Sequence, residues 1–345
     1  MSFDHIINDL SSKNYNALLF LVLKSLNDEK YKDIQNKVLM ELQKDESLIH
    51  FEKKPDENIK RVFVTCNWCN STELINLWNK MSKDNNFTWN NIRIVDTEPC
   101  DFYCIINRPW TDDFNHDPSK TIIFRMEPFM EKFENQWGKW TNPDASLYKF
   151  VGYHNLHYNN NEWHLGKTYQ QLMNETIIKN EDYSHVLSTI LSSKYKDAGH
   201  IKRVDFIKFI EDKMNVHVYG SNQFLYKNYK NPLPLHQKDD SLIPYKYAFN
   251  VENHSIKNYF TEKIIDGILS ETLMFYSGCF NLKDYIDERA FVYLELSNFE
   301  HDLAIIQKAM DEDWYTQRLP YIKEAKQKIL NNLQFFPRLE QILEQ

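Results

Sequence analysis

Apolar and polar positions alternate from Tyr245 to Glu252. Tyr245, Tyr247, Phe249 and Val251 fall on one side, and Lys246, Ala248, Asn250 and Glu252 on the other. A period of two predicts a strand. A polar loop follows, from His254 to Asn258, and then the period changes. Ile264, Ile265, Ile268 and Leu269 recur at helical spacing behind Thr261, a good N-cap, with Glu262 in the first turn where the helix dipole favours a carboxylate. Similar patterns predict strands at Arg61–Thr65, Ile92–Val95, Phe102–Ile106, Thr121–Met126, His185–Ser192, Val216–Gly220 and Leu273–Tyr276. Helices are expected at Ser71–Met81, capped by Ser71 or Thr72, and at Lys202–Lys213, with a mostly helical stretch from Asp302 to Gln345. Strands alternating with helices predict an α/β protein with open parallel sheets. Tyr31, Ile34, Val38, Leu39 and Leu42 mark a helical leading segment. The expected organisation is a helical extension at 1–57, an α/β domain at 58–182 and a second α/β domain with terminal helices at 183–345.

Composition narrows the function classes. The chain has 345 residues and a formal net charge of −8, with both signs mixed along it. A nucleic-acid binder would carry a basic face, so none is expected. The longest apolar run, Ala17 to Leu23, is far short of the ~20 residues a membrane span needs. Met1-Ser2-Phe3-Asp4-His5 has no basic n-region or cleavage pattern, so a soluble, cytoplasmic protein is expected. None of the seven glycines precedes Gly138, and no Gly-rich phosphate loop occurs. A nucleotide must be held by side chains and helix ends.

Three constellations carry candidate chemistry. The first turn after Thr261 offers orphan N–H groups beside Lys263, a place for a diphosphate. Arg203 has the fork geometry that suits phosphate oxygens and is expected in the first turn of its helix, with His200 nearby as a weaker candidate. Glu127 follows the strand at Thr121–Phe124, at the end where ligands of open sheets gather. Glu131 is the alternative, then Asp112 or Asp113. Metal sites fare poorly. Asp311-Glu312-Asp313 reads as a solvated helix start. Cys66, Cys69, Cys100 and Cys104 depart from zinc-ribbon spacing, and five cysteines without a signal peptide suggest reduced thiols.

Tyr245-Lys246-Tyr247, Val251-Glu252-Asn253 and Tyr259-Phe260-Thr261-Glu262-Lys263 resemble, in order and spacing, the signature of glycosyltransferase family 10, the α1,3/α1,4-fucosyltransferases. Only Tyr247 and Val251 depart from it, each at an aromatic or apolar position. The resemblance covers His185 to about Trp314 and thins toward the first half, and the chain is similar to soluble bacterial- or viral-type members. It implies a GT-B fold, two Rossmann-like domains facing a cleft. It also implies an inverting, metal-independent transfer of fucose from GDP-fucose to a glycan acceptor, with no cofactor. On this resemblance Arg203 and Lys263 hold the donor diphosphate and Glu262 the ribose. Asn253 and Tyr259 contact the donor, and Glu127 is the general base. Glu252, His200 and Glu131 are further candidates. A different nucleotide sugar, or a non-catalytic sugar- or partner-binding role, are the alternatives. Acceptor and oligomeric state are left open.

Overall fold

The structure, a computed structural model, describes residues 59–111, 113–127, 137–154, 156–158 and 161–345. The expected helical extension at 1–57, Asp112 and Glu131 lie outside the described residues.

The chain forms β1 (Lys60–Cys66), α1 (Ser71–Trp78), β2 (Thr88–Trp89), β3 (Ile92–Val95), β4 (Phe102–Ile106), β5 (Thr121–Phe124) and β6 (Phe150–Val151). After α2 (Tyr169–Asn174) come β7 (Leu187–Leu191), α3 (Ala198–Ile210), β8 (Val216–Gly220), α4 (Asp239–Leu242), β9 (Tyr247–Val251), α5 (Glu262–Leu269), β10 (Leu273–Ser277) and β11 (Phe291–Tyr293). Three helices follow: α6 (Phe299–Asp311), α7 (Trp314–Lys328) and α8 (Phe335–Leu343). Among the described residues, no helix is long and apolar enough to cross a membrane.

Two sheets result, with strand orders β2-β3-β1-β4-β5-β6 and β11-β10-β9-β7-β8. Every pairing is parallel except β2 with β3. This is the two-sheet α/β arrangement that the alternation of elements predicts. Strands of a parallel sheet are covered on both faces, which explains why β5, β9 and β10 are buried at every position.

Among the boundaries that differ from the periodicity, three have a clear local reason. Helix α1 is capped by Asn70, not by Ser71 or Thr72: its side chain accepts from Glu73 N–H at 2.9 Å, and Glu73 Oε2 accepts from Asn70 N–H at 3.3 Å. Strand β9 begins at Tyr247, because the Tyr245 N–H is spent on Leu242 O at 3.1 Å in the turn before the ladder. Helix α3 begins at Ala198, four residues before Lys202. Arg203 therefore lies in its second turn, not its first.

Helix α8 leaves the second sheet and packs on the first. Phe335 meets Trp78 with ring centroids 4.4 Å apart and Phe124 at 6.1 Å, and Phe336 stacks on Trp89 at 6.1 Å. Gln334 Nε2 donates to Met81 O at 3.3 Å, and Trp89 Nε1 to Glu340 Oε2 at 3.2 Å. The sequence pattern groups this helix with the second domain, whereas its contacts complete the core of the first.

Candidate active site

The second sheet builds one wall around the end of β9. Glu252, the first residue beyond that strand, is enclosed and holds the loop in place. Its carboxylate accepts from Thr261 N–H and Thr261 Oγ1, both at 2.8 Å, and from the Tyr276 hydroxyl at 3.3 Å. Burial raises its pKa, although Lys263 pulls in the opposite direction. A Cβ on Gly278 would lie 2.4 Å from Glu252 Cγ, so the buried glutamate depends on glycine there. Thr261 caps α5 as expected.

Cations gather at this cap. Lys263 Nζ lies 3.2 Å from Glu262 Oε1 and 3.5 Å from Glu252 Oε2. Burial opposes its charge, yet these carboxylates hold the ammonium above its ordinary pKa. Arg203 approaches from α3: Nη1 donates to Val251 O at 3.2 Å and Asn253 Oδ1 at 3.4 Å, and Nη2 to Ser192 Oγ at 3.1 Å. Its Nε is buried with no hydrogen-bond partner among the described residues. Glu262 is held well below the carboxylate range: burial acts against its charge, and Lys263, Lys238 and His164 more than offset that. His200 does not face outward as a ligand. Asp197 N–H donates to its Nδ1 at 3.4 Å, closing the first turn of α3, and burial first, then Arg203, pushes its pKa down to about 4.

Helix α3 can approach β9 only because residue 199 is glycine. A Cβ there would sit 1.8 Å from Glu252 O and 2.8 Å from Asn253 O. Gly199→Ala is expected to lower unfolding free energy by about 2–3 kcal/mol and to shift Arg203 away from the cap. Urea unfolding beside GDP titration checks both. A wild-type midpoint would mean that the helix does not press on the strand this closely.

The first sheet supplies the facing wall. Glu127 lies three residues beyond β5 and is exposed. Asn107, buried with φ 61°, holds the backbone there: its Oδ1 accepts from Met126 N–H at 2.9 Å and Glu127 N–H at 3.2 Å. The walls meet at a small cavity lined by Met126, His154, Tyr259, Thr261 and Glu262. His154 meets Tyr259 edge-on at 5.3 Å, and Asn258 Nδ2 donates to His154 O at 2.5 Å. Burial, then the charges of Glu252, Glu127 and Glu262, raise the Tyr259 hydroxyl well above its ordinary pKa.

Arg203, Asn253, Tyr259, Glu262 and Lys263 thus converge, with Glu252 as their anchor and Glu127 opposite. Asp113 is exposed on another loop. Asp313 caps α7, its Oδ1 accepting from Thr316 N–H at 3.4 Å. The Cys66 and Cys69 sulfurs are 3.5 Å apart, but among the described residues no three His, Cys, Asp or Glu side chains gather as a metal site.

Sequence patterns did not single out a second layer beneath α5. Lys238 Nζ lies 2.9 Å from Asp266 Oδ2 and 3.5 Å from Glu262 Oε1. His164 N–H donates to Asp266 Oδ1 at 2.7 Å. The His164 ring lies 3.1 Å from Glu162 Oε1, and Trp78 Nε1 donates to Glu162 Oε2 at 2.6 Å. This chain ties α1 of the first sheet to α5. Burial opposes both charges of the Glu162–His164 pair, but their mutual contact leaves Glu162 below and His164 above its ordinary value. His236, 4.2 Å from His164, is pushed down to about 4 by burial and then by the charge of His164. The His164 contribution is fully present below its ordinary 6.5 and fades as pH rises through the raised value. The Glu162 contribution is present above 4.5 and fades as pH falls through the lowered one. The stability gap between wild type and His164→Asn should therefore be widest between pH 4.5 and 6.5. Urea unfolding across pH tests this, and a gap that keeps growing into alkaline pH would contradict it.

Residues 182–321 match glycosyltransferase family 10 (fucosyltransferase), C-terminal part. This stretch is a family 10 glycosyltransferase domain. The family 10 domain contains Arg203, Glu252, Asn253, Tyr259, Glu262 and Lys263, while Glu127 and the first sheet lie outside the matched stretch. No curated protein sequence matches the chain significantly. Among solved structures, the glycosyltransferase is similar to an α1,3-fucosyltransferase with GDP, at 16% identity and a TM-score of 0.48, over 83% of this chain and 93% of that one. It is also similar to a glycosyltransferase from Rickettsia africae, at 10% identity and a TM-score of 0.49, over 83% and 97%. A third is Anabaena Alr3699/HepE in complex with UDP-glucose, at 9% identity and a TM-score of 0.48, over 83% and 98%. The two mostly parallel sheets are consistent with two Rossmann-like domains, the second of them within the matched stretch.

Proposed function

We propose that this glycosyltransferase moves fucose from GDP-fucose to a glycan hydroxyl, with inversion and without a metal ion. The observation that carries the reading is the pair of enclosed cations at the α5 cap. Lys263 is held charged by two carboxylates, and Arg203 retains a buried Nε donor without a partner among the described residues. A diphosphate supplies the missing acceptor and is met by the first-turn N–H groups of α5. The ribose hydroxyls donate to Glu262, and Asn253 and Tyr259 contact the donor.

In the proposed reaction the acceptor hydroxyl attacks the anomeric carbon from the face opposite the nucleotide. The new carbon–oxygen bond forms as the bond to the diphosphate breaks, and that electron pair leaves with GDP. Glu127 takes the hydroxyl proton, a general-base contribution worth about 10²–10⁴ in rate. Arg203 and Lys263 stabilise the charge that grows on the departing diphosphate.

Calorimetric titration with GDP-fucose, GDP, GDP-mannose and UDP-GlcNAc, with EDTA present, tests the reading. Metal-free binding of GDP and GDP-fucose is the expected result. Preference for another sugar nucleotide would reassign the donor. Binding of donor with neither hydrolysis nor transfer would make the protein a non-catalytic binder.

A further inference from the structure

Two of the eight tryptophans are exposed, Trp68 at 42% and Trp110 at 52%. Both lie on one edge of the first sheet, Trp68 on the loop after β1 and Trp110 on the loop after β4. Because β3, β1, β4 and β5 run parallel, this is also the edge that carries Glu127. Beside Trp110 opens a cavity of about 500 Å³, lined by Thr65, Asn70, Thr72, Asp96 and Phe114 among others. The main chain beneath the exposed indole is held. The Trp110 main-chain N–H donates to Thr65 Oγ1 at 3.4 Å, and nearby in the lining Phe114 stacks on Phe63 at 5.4 Å. Thr72 Oγ1 donates to Asp96 Oδ2 at 2.7 Å, which fixes the carboxylate at the rim.

An indole face with hydroxyls, an amide and a carboxylate around it suits a sugar ring. The ring's C–H face packs on the aromatic surface while its hydroxyls bond to the rim. Among the described residues no Lys or Arg lines the cavity, so a carboxylated sugar finds no counter-charge there. Strands β1 and β5 are two places apart in the sheet, roughly 10 Å, so an extended glycan can reach from Glu127 to the cavity. We propose that the cavity beside Trp110 is a remote acceptor subsite, which holds a neutral sugar residue of the glycan beyond the unit being glycosylated. The subsite rests on the glycan-acceptor reading above. It makes the enzyme select acceptors by length.

Transfer from GDP-fucose to N-acetyllactosamine oligomers of two, four and six sugar residues tests it. The wild-type KM should fall about tenfold as the acceptor lengthens past the disaccharide. Trp110→Ala should abolish that gain, and Trp110→Phe should keep part of it. Thermal unfolding and GDP-fucose titration show that each variant is folded. Equal length dependence in Trp110→Ala overturns the subsite, as does a wild-type KM that ignores length or a donor-binding protein that glycosylates no oligomer. Failure of the wild type to bind GDP-fucose is read in the titration and would overturn the donor assignment instead.

Discussion

Lys263→Ala is expected to weaken GDP-fucose binding by about 2–5 kcal/mol, a factor of roughly 30 or more in Kd. The substitution removes the cation proposed to face the diphosphate and leaves Glu252, which is fully enclosed, without its ammonium partner. Glu262 keeps Lys238 at 3.5 Å, so that carboxylate remains partly balanced. Two effects are therefore superimposed, lost donor affinity and a less stable cap. Adding Glu252→Gln to Lys263→Ala separates them, because Glu252 is the carboxylate left without its cation. The double variant should recover thermal stability through the relief of charge but should not recover donor binding. If calorimetry finds wild-type affinity in Lys263→Ala, the diphosphate is held elsewhere and Arg203 loses its proposed role as well.

Glu127→Gln should do the reverse. The amide is close in shape, and Asn107 still holds the backbone N–H of residue 127. Donor affinity and thermal stability should stay at wild-type values, while kcat falls by about 10²–10⁴ because the acceptor hydroxyl loses its base. Initial rates at saturating GDP-fucose measure the fall. Full kcat in this variant would move the base to Glu131 or Asp113, which become the next substitutions.

The wall proposed to hold the donor was legible because it is local in the chain. Strand, cap and first turn lie within Tyr245–Lys263, where a period of two gives way to a period of 3.6 at Thr261. Arg203 was recognisable as a phosphate-type side chain. Its true turn was not, because the start of α3 is set by a close approach between Gly199 and the end of β9, and periodicity carries no information about such contacts. Lys238, Asp266 and His164 escaped for a related reason. Each stands in an unremarkable local context, and only folding brings the three together under α5. Asn107 is similar: its left-handed backbone and its bonds to Met126 and Glu127 arise between adjacent strand ends. In the first sheet β1, β3, β4 and β5 were readable, whereas β2, only two residues long, shows no period of its own. The sheet's partner helix was not readable, since an apolar stripe on α8 does not say which sheet it will cover.

The return of α8 to the first sheet also sets a schedule for biosynthesis. When β1 to β5 leave the ribosome, Trp78, Trp89 and Phe124 lack the two phenylalanines that cover them in the finished protein. Those arrive only after the intervening chain has been made, roughly 10–40 s later at about 5–20 residues per second. Through that interval the first half presents an unfinished apolar surface to the cell. The nascent chain is then most open to chaperone capture, and the enzyme's yield should depend more on that wait than on the stability of the completed fold.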